Sequence, residues 1–577
     1  MNAQQTSSPE PQRRSRELAK VLGSFKSEFV VVGIFSFVSN LLMLAPTLYM
    51  LQVYDRVLHS GSELTLLVVS LLTLFLFGVL SISDWSRSRV LVRAGVRLDE
   101  LLGNRLFDAS FRNSLSARGR PGFAAFSDLT ELRQFLTGNG IFALFDMPWT
   151  PIYIGVLFLL HPMLGVLAVV FALIQAVVAA WGHSGTMGPT REASEAMAKS
   201  NAFMQMKLRN AEVIESMGML GNLRKLWFDK SGDALKQNAV ALRRSTAVAS
   251  VSKFLRYSMQ SLTLGAGALL VIDGQLSAGG MIAANVLMSR ALAPLDLLVA
   301  SWKGMLSSWQ AYGRMEEVLA ADRGTSLEQD HGRPAGDLVL RNVSARVEGR
   351  ETLILRDINL TVGAGRVTVV LGPSGSGKST LARVMLGIWP QVDGEVTWAG
   401  VPIKNWSREA LGAHVGYLPQ DIELFDGTIA DNIARLGNVE PERVIRAAQM
   451  TGLHDMILRF PKGYDTPIGE AGGLLSGGQR QRIGLARAIY GVPALVILDE
   501  PNANLDDVGE RALAQAVDAL RQQGSSVVLI SHRPSVLGVA DDVVLLKAGA
   551  LVEQGPRDQV LATLKQQQGA LPAATQT

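Results

Sequence analysis

Residues 372–380, Gly372-Pro373-Ser374-Gly375-Ser376-Gly377-Lys378-Ser379-Thr380, match the glycine-rich phosphate loop G-x-x-x-x-G-K-[ST]. The glycines let backbone N–H groups turn inward around phosphate oxygens, Lys378 reaches the terminal phosphates, and the Ser379 hydroxyl suits Mg2+. A glycine-rich turn alone would say little. Here it follows the apolar run Val367-Thr368-Val369-Val370-Leu371 and opens a helical one, residues 380–388, which is the context the chemistry requires. A second apolar run, Leu495-Val496-Ile497-Leu498, ends in Asp499-Glu500. Two carboxylates then emerge at the edge of a buried strand, where Asp499 suits a metal shell and Glu500 suits polarising an attacking water.

Positioning these groups calls for an α/β domain. Short β-rich runs alternate with helical ones beyond residue 338, the pattern of buried parallel strands, and predict a cassette over residues 338–565. Residues 321–337, with their Gly, Pro and acids, read as a linker, and the Gln-rich end, 566–577, as a disordered tail. The chain as a whole is less ordinary. Of its 577 residues only 18% are charged against a usual ~25%, although 48% are apolar, which implies two unlike halves. With no cysteine, disulfides, thiolate zinc sites, iron-sulfur clusters and cysteine nucleophiles are excluded.

The charge is missing from the first half. Residues 29–54 and 64–83 contain no Asp, Glu, Lys or Arg, and each is long enough for the ~20 residues of a membrane span. Residues 147–182 are also free of charge, too long for one span, and His161-Pro162 supplies a turn for a helical hairpin. Two weaker runs, 257–272 and 275–301, complete six expected spans, with Arg290 and Asp296 inside the last. The reading is a helical membrane domain over 26–320 behind a polar tail, 1–25, that has no signal peptide of its own.

Two long connections carry the cations, among them Arg87, Arg97 and Arg105 in the first and Arg191, Lys207 and Arg244 in the second. By the positive-inside rule they, the N-terminus and everything after about residue 302 are cytoplasmic. The net charge of +4 has this origin, since no dense basic run interleaved with aromatics marks a nucleic-acid surface. The connections are rich in Leu, Ala, Met and Arg and predict helices that project into the cytoplasm. Within them, residues 127–132 fit a short helix with Ser127 or Asp128 at its start, and Met204, Met206, Met217 and Met219 read as interhelical packing.

Leu475-Ser476-Gly477-Gly478-Gln479 resembles the signature of the ATP-binding-cassette ATPases. The resemblance extends, in that family's order, to Gln420 after Tyr417-Leu418-Pro419, to Asn504-Leu505-Asp506 and to His532 after Ile530-Ser531. It implies ATP and Mg2+ as cofactors, a metal held by Ser379, Gln420 and Asp499, and catalysis by Glu500, His532 and Gln420. It also implies that Ser476, Gly477, Gly478, Gln479 and Asp506 contact nucleotide held by a second copy of the chain. A helix N-terminus at Ser476 would supply an anion site for that purpose. Glu470 resembles the exporter element that touches the cytoplasmic loops. One departure stands out: Ser344-Ala345-Arg346-Val347-Glu348 has no aromatic where the family stacks adenine.

The first half resembles the type I secretion permease-ATPases, through residues 44–58, which include Gln52-Val53-Tyr54-Asp55-Arg56, and through Phe145-Asp146-Met147-Pro148-Trp149-Thr150-Pro151. No room precedes residue 29 for the peptidase-like domain of the haemolysin branch, which favours the protease, lipase and haemophore exporters. This resemblance implies an exporter fold in the bacterial inner membrane, working as a homodimer or a pseudo-symmetric heterodimer. Its partners would be a periplasmic membrane-fusion adaptor, an outer-membrane channel protein, membrane lipid and an unfolded secreted protein with a C-terminal signal. Export of a lipid or small amphiphile, and a nucleotide-gated regulatory subunit, remain as alternatives. Asp146-Met147-Pro148-Trp149 reads first as a proline-kinked helix with an interfacial Trp, and second as a substrate contact. Arg290 and Asp296 are costly in a membrane unless they face a cavity or a partner.

Overall fold

Where charge disappears from the sequence, the chain is helical. The structure, a computed structural model, describes residues 17–114, 123–208, 210–321, 332–347, 352–469, 475–503 and 505–569. It divides into two compact units, Met1–Phe111 with Arg120–Asp322, and Arg112–Gly119 with Arg323–Thr577.

The first unit is built on six long helices: α1 (Lys26–Leu42), α2 (Glu63–Ser114), α3 (Thr150–Leu160), α4 (Pro162–Leu208), α5 (Leu220–Ile272) and α6 (Ala278–Ala321). At about 1.5 Å per residue the 52 residues of α2 run for roughly 78 Å, so the cation-bearing connections are extensions of membrane helices. Among the described residues four helices, or five if a bent pair counts as one span, are long and apolar enough to cross a membrane. That pair is bent by 47° between Gly140–Asp146 and Trp149–Leu160, with Pro148 and Pro151 at the break. The hairpin turn falls where expected, with His161 extended between α3 and Pro162 of α4.

The expected span at 257–272 is the end of the 53-residue α5, which is not one of those four helices. There the Gln260 amide donates to Ser289 Oγ on α6 at 2.8 Å, whereas the fully buried Thr263 hydroxyl has no hydrogen-bond partner. Residues 17–25, expected as tail, carry a helix from Glu17 to Ser24 whose Leu18, with the adjacent Phe25, packs against Leu102 of α2 and Met315 of α6. The helix around Ser127 starts earlier, at Phe123, so Asp128 lies inside it and binds the Arg314 guanidinium at 3.0 Å. Met217 and Met219, expected to pack, stand exposed at the α4–α5 connection, where Gly218 turns the chain with φ +63°. At the C-terminus a helix from Arg557 to Gly569 takes in the start of the expected tail.

Polar side chains inside the bundle join helices to each other. Asp146 Oδ1 accepts from the Asn40 amide of α1 at 2.6 Å and lies 3.4 Å from the Arg87 guanidinium of α2. The Tyr153 hydroxyl of α3 donates to the Asn40 carbonyl at 2.7 Å. Trp149 is buried against Phe37 and Tyr153. Asp296 of α6 likewise accepts from Gln175 of α4 at 2.6 Å and from Ser252 of α5 at 3.2 Å, on the wall of a cavity of about 540 Å3. Arg290 points to Met43 Sδ, 3.6 Å away.

In the second unit, a six-stranded sheet has the order β10-β9-β3-β8-β7-β6. Its strands are β3 (Val367–Leu371), β6 (Val415–Leu418), β7 (Leu495–Asp499), β8 (Ser526–Ile530), β9 (Asp542–Lys547) and β10 (Ala550–Pro556), all parallel except the last. Alternation splits the core, with Val369, Val496 and Leu498 packing on one face and Val370, Leu495 and Ile497 on the other. A four-stranded antiparallel sheet, order β2-β1-β4-β5, comprises β1 (Leu338–Arg346), β2 (Leu353–Val362), β4 (Val392–Trp398) and β5 (Val401–Pro402).

Asp146→Ala would take from the buried Asn40 amide its acceptor on the bent pair and leave Arg87 with Asp84, 3.2 Å from its Nε, as the remaining carboxylate. It is expected to destabilise the membrane unit by about 2 kcal/mol. In thermal unfolding in nanodiscs its midpoint should drop clearly below those of wild type and of Asp146→Asn, which keeps an acceptor for Asn40. Equal midpoints for Asp146→Ala and wild type would remove Asp146 as a tie between α1 and α2.

Candidate nucleotide site

Register decides where the chemistry gathers. Val370 of β3 pairs with Ile530 of β8, Asp499 of β7 also pairs with Ile530, and Leu418 of β6 pairs with Leu498. The phosphate loop, His532, Glu500 and Gln420 therefore all leave the sheet at one edge, the carboxyl end of the parallel strands.

The loop leads from β3 into a helix, α7 (Lys378–Met385), that Gly377 caps in a left-handed conformation, φ +98°. Gly375 is also left-handed, and a Cβ at Gly372 would lie 2.2 Å from the Leu546 carbonyl oxygen, so side chains are excluded there. Lys378 folds back over the loop and donates to the carbonyls of Gly372 and Pro373, both at 2.9 Å. Ser376 Oγ is buried with no hydrogen-bond partner, whereas Pro373, Ser374 and Gly375 are exposed at the mouth. Ser379 and Thr380 follow Lys378 in the first turn of α7.

Asp499 is buried at the end of β7, and its Oδ1 has no hydrogen-bond partner. Burial pushes its carboxyl above the usual range, the Ser379 hydroxyl bonding to it pulls the other way, and the neighbouring Glu500 charge raises it again. An orphaned carboxylate oxygen beside a serine hydroxyl suits a hard divalent cation. Among the described residues no group of three or more His, Asp or Glu is arranged to hold one.

Glu500 is held with φ +50°, an uncommon state for a residue with a side chain, and its N–H donates to the Ile530 carbonyl at 2.8 Å. The carboxylate is reached from two sides, by the Gln420 amide at 3.3 Å from Oε2 and by His532 Nδ1 at 3.4 Å from Oε1. The three side chains expected to act in catalysis thus meet at one point.

Ser476 caps helix α8 (Gly477–Ile489) through a reciprocal box: its hydroxyl accepts from the Gln479 N–H at 3.3 Å, and Gln479 Oε1 accepts from the Ser476 N–H at 2.8 Å. The Gln479 side chain is thereby a cap of its own helix, and Gly477 and Gly478 are left to present N–H groups at its positive end. Asp506 caps the next helix, α9 (Asp507–Gln522), and binds Arg482 of α8 at 2.7 Å. The Gly509 N–H, with Arg482 behind it, holds the Asp506 carboxyl below the usual range. Sequence spacing reveals neither partnership, nor that Gln481 of α8 bonds the backbone just after Glu500. Glu470 and Asn504 lie outside the described residues. At the place without an aromatic, Arg346 ends β1, pairs with Asp393, and receives the Trp389 indole N–H on its carbonyl at 3.0 Å.

Known proteins share this architecture. A family model described as ABC transporter matches residues 355–503, and one described as ABC transporter transmembrane region matches residues 29–295. The chain is 42% identical to the type I secretion system ATP-binding protein PrsD of Rhizobium meliloti (strain 1021), over 95% of this chain and 94% of that protein. It is 30% identical to the alpha-hemolysin translocation ATP-binding protein HlyB of Escherichia coli, over 93% of this chain and 76% of that one. A solved structure of a bacterial Atm1-family ABC exporter with ATP bound superposes with a TM-score of 0.79 at 22% identity, over 96% and 100% of the two chains, a likeness of fold.

The raised Asp499 carboxyl favours the folded state below its unfolded value of 3.8, and that advantage is lost as pH climbs through the higher folded value. At pH 7 the buried carboxylate is therefore a liability in protein free of nucleotide. Asp499→Asn is expected to raise the midpoint of thermal unfolding at pH 7, by an amount that shrinks toward pH 4, and to abolish the Mg2+-dependent part of the gain given by ATP. An unchanged midpoint at pH 7, with that gain intact, would contradict both the burial argument and the metal role.

Proposed function

Because this chain belongs to the ABC transporter family and within it to the type I secretion permease-ATPases, we propose that it exports an unfolded protein across the bacterial inner membrane. It is a multi-pass membrane protein that binds ATP and couples its hydrolysis to transport. The observation that supports the catalytic reading is the meeting of Gln420, Glu500 and His532 beside the phosphate loop.

In this reading Lys378 exchanges the Gly372 and Pro373 carbonyls for phosphate oxygens, and the Ser376 hydroxyl and the loop N–H groups take the rest. Ser379, Asp499 and Gln420 would hold Mg2+, which neutralises phosphate charge. Glu500, oriented by Gln420 and His532, accepts a proton from water as its oxygen attacks the γ-phosphorus and the bond to ADP breaks. His532, more than half exposed, is free to donate to the γ-phosphate.

One chain carries one cassette, so the working unit is a homodimer in which Ser476, Gly477 and Gly478 face nucleotide held by the second copy. Gln479 supports that contact through the cap, and Asp506 through its bond to Arg482. The cassette and N-terminus are cytoplasmic, consistent with the cations of the long helical extensions. The names of PrsD and HlyB, which concern type I secretion and haemolysin translocation, support a secreted protein as cargo. A C-terminal signal on it, a periplasmic membrane-fusion adaptor and an outer-membrane channel protein belong to the same reading.

Glu500→Gln is expected to lower ATPase turnover in lipid nanodiscs about 10²-fold or more while ATP binding persists. With that variant as blank, the wild-type rate should respond saturably to C-terminal segments of candidate secreted proteins and not to lipids. A response to lipids alone would replace the protein cargo by an amphiphile, and turnover independent of Glu500 would leave a regulatory subunit.

A further inference from the structure

We propose that Gln481 is a positioning residue for hydrolysis, holding the backbone turn that aims Glu500 from the helix that begins at Ser476. The inference rests on the assignment of Glu500 made above. Gln481 is 2% exposed, in the second turn of α8, and its amide nitrogen has two hydrogens to place. One goes to the Pro501 carbonyl at 2.9 Å and the other to the Glu500 carbonyl at 3.4 Å. The Glu500 carbonyl also accepts the Ala503 N–H at 3.2 Å, so the shorter bond, to Pro501, is the one that only Gln481 supplies among the described residues.

The turn needs such a hold. Glu500 sits in the left-handed region, a conformation that persists only where its surroundings impose it. From β8 the Ile530 carbonyl takes the Glu500 N–H at 2.8 Å, and the Ser531 hydroxyl donates to Asn502 Oδ1 at 3.3 Å. From the opposite side Gln481 takes the two carbonyls. Tilting the peptide between Glu500 and Pro501 would swing the Glu500 side chain away from Gln420 and His532, with little effect on the phosphate loop. The expected signature is therefore a loss of turnover without a loss of ATP binding.

The test compares full-length protein in nanodiscs carrying Gln481→Met, Gln481→Glu or Glu500→Gln. Gln481→Met keeps the length and removes the donors, and should lower kcat about 10-fold or more, since misplacement of about 1 Å costs up to ~10²-fold. KM for ATP and the Kd of a fluorescent ATP analogue should stay within about twofold. Gln481→Glu lacks a donor when ionised and regains one when protonated, and burial beside two carbonyls raises its carboxyl. Its rate relative to wild type should climb as pH falls from 8 to 6. Wild-type kcat in Gln481→Met, or a fall matched by weaker ATP binding, overturns the proposal. If Gln481→Met does not fold, the ratio for Gln481→Glu decides alone, and a ratio independent of pH overturns it. Glu500→Gln with undiminished turnover removes the assignment of Glu500 and this inference with it, whereas an inactive Glu500→Gln beside a fully active Gln481→Met removes only the role of Gln481.

Discussion

The rung between the Glu500 N–H and the Ile530 carbonyl is where the ladder of β7 and β8 stops being structure and becomes a site. One residue earlier Asp499 is still strand, buried and paired in register; at Glu500 itself the chain turns into the left-handed region. A parallel sheet sends all its strand ends to the same edge, so a single register constraint brings together a loop, two carboxylates, an amide and an imidazole that are far apart in sequence. Antiparallel pairing would have sent alternate ends to opposite edges. Among the described residues the one antiparallel neighbour in this sheet, β10, lies at its margin, beyond β9.

The second organising element is α8. Its N-terminus is closed by Ser476 and Gln479, its second turn grips the Glu500 turn through Gln481, and Arg482 ties it to the cap of α9. The Gly477 and Gly478 N–H groups at its positive end and the Gln481 hold on the Glu500 turn therefore lie within two turns of one helix.

What the sequence makes legible follows from what is local. The phosphate loop is readable because Gly375 and Gly377 need positive φ, Gly372 needs an absent Cβ, and Lys378 must open a helix, all within eight residues. Strand followed by Asp-Glu is readable for the same reason. The partnerships are not local: Gln481 meets Pro501, Arg482 meets Asp506, and Asp128 meets Arg314, each across a tertiary contact that no spacing announces. Asp506 and Gln479, which resemble ligand residues by motif, also satisfy helix ends, a role the motif does not announce. The end of α5 looks weak as a span because of polar groups such as Gln260, whose partner lies inside the bundle.

The same distinction bears on the membrane unit. The two stretches that mark the secretion branch carry Asp55 and Asp146, and both carboxylates are consumed by the fold. Asp146 joins α1 to α2 at the bent pair, while Asp55 accepts the Ser277 hydroxyl at 2.6 Å and the Gly279 N–H at 2.8 Å at the start of α6. A Cβ on Gly279 would lie 2.5 Å from Asp55, so a side chain there would displace the carboxylate that the Gly279 N–H holds. Residues that identify a branch thus shape its helices here, while two hydroxyls of the same stretches, Thr47 and Thr150, are buried without a hydrogen-bond partner. Recognition of a chain that passes in an extended, variable form is better served by surfaces without fixed polar demands, because each buried donor or acceptor set against one sequence would penalise the next.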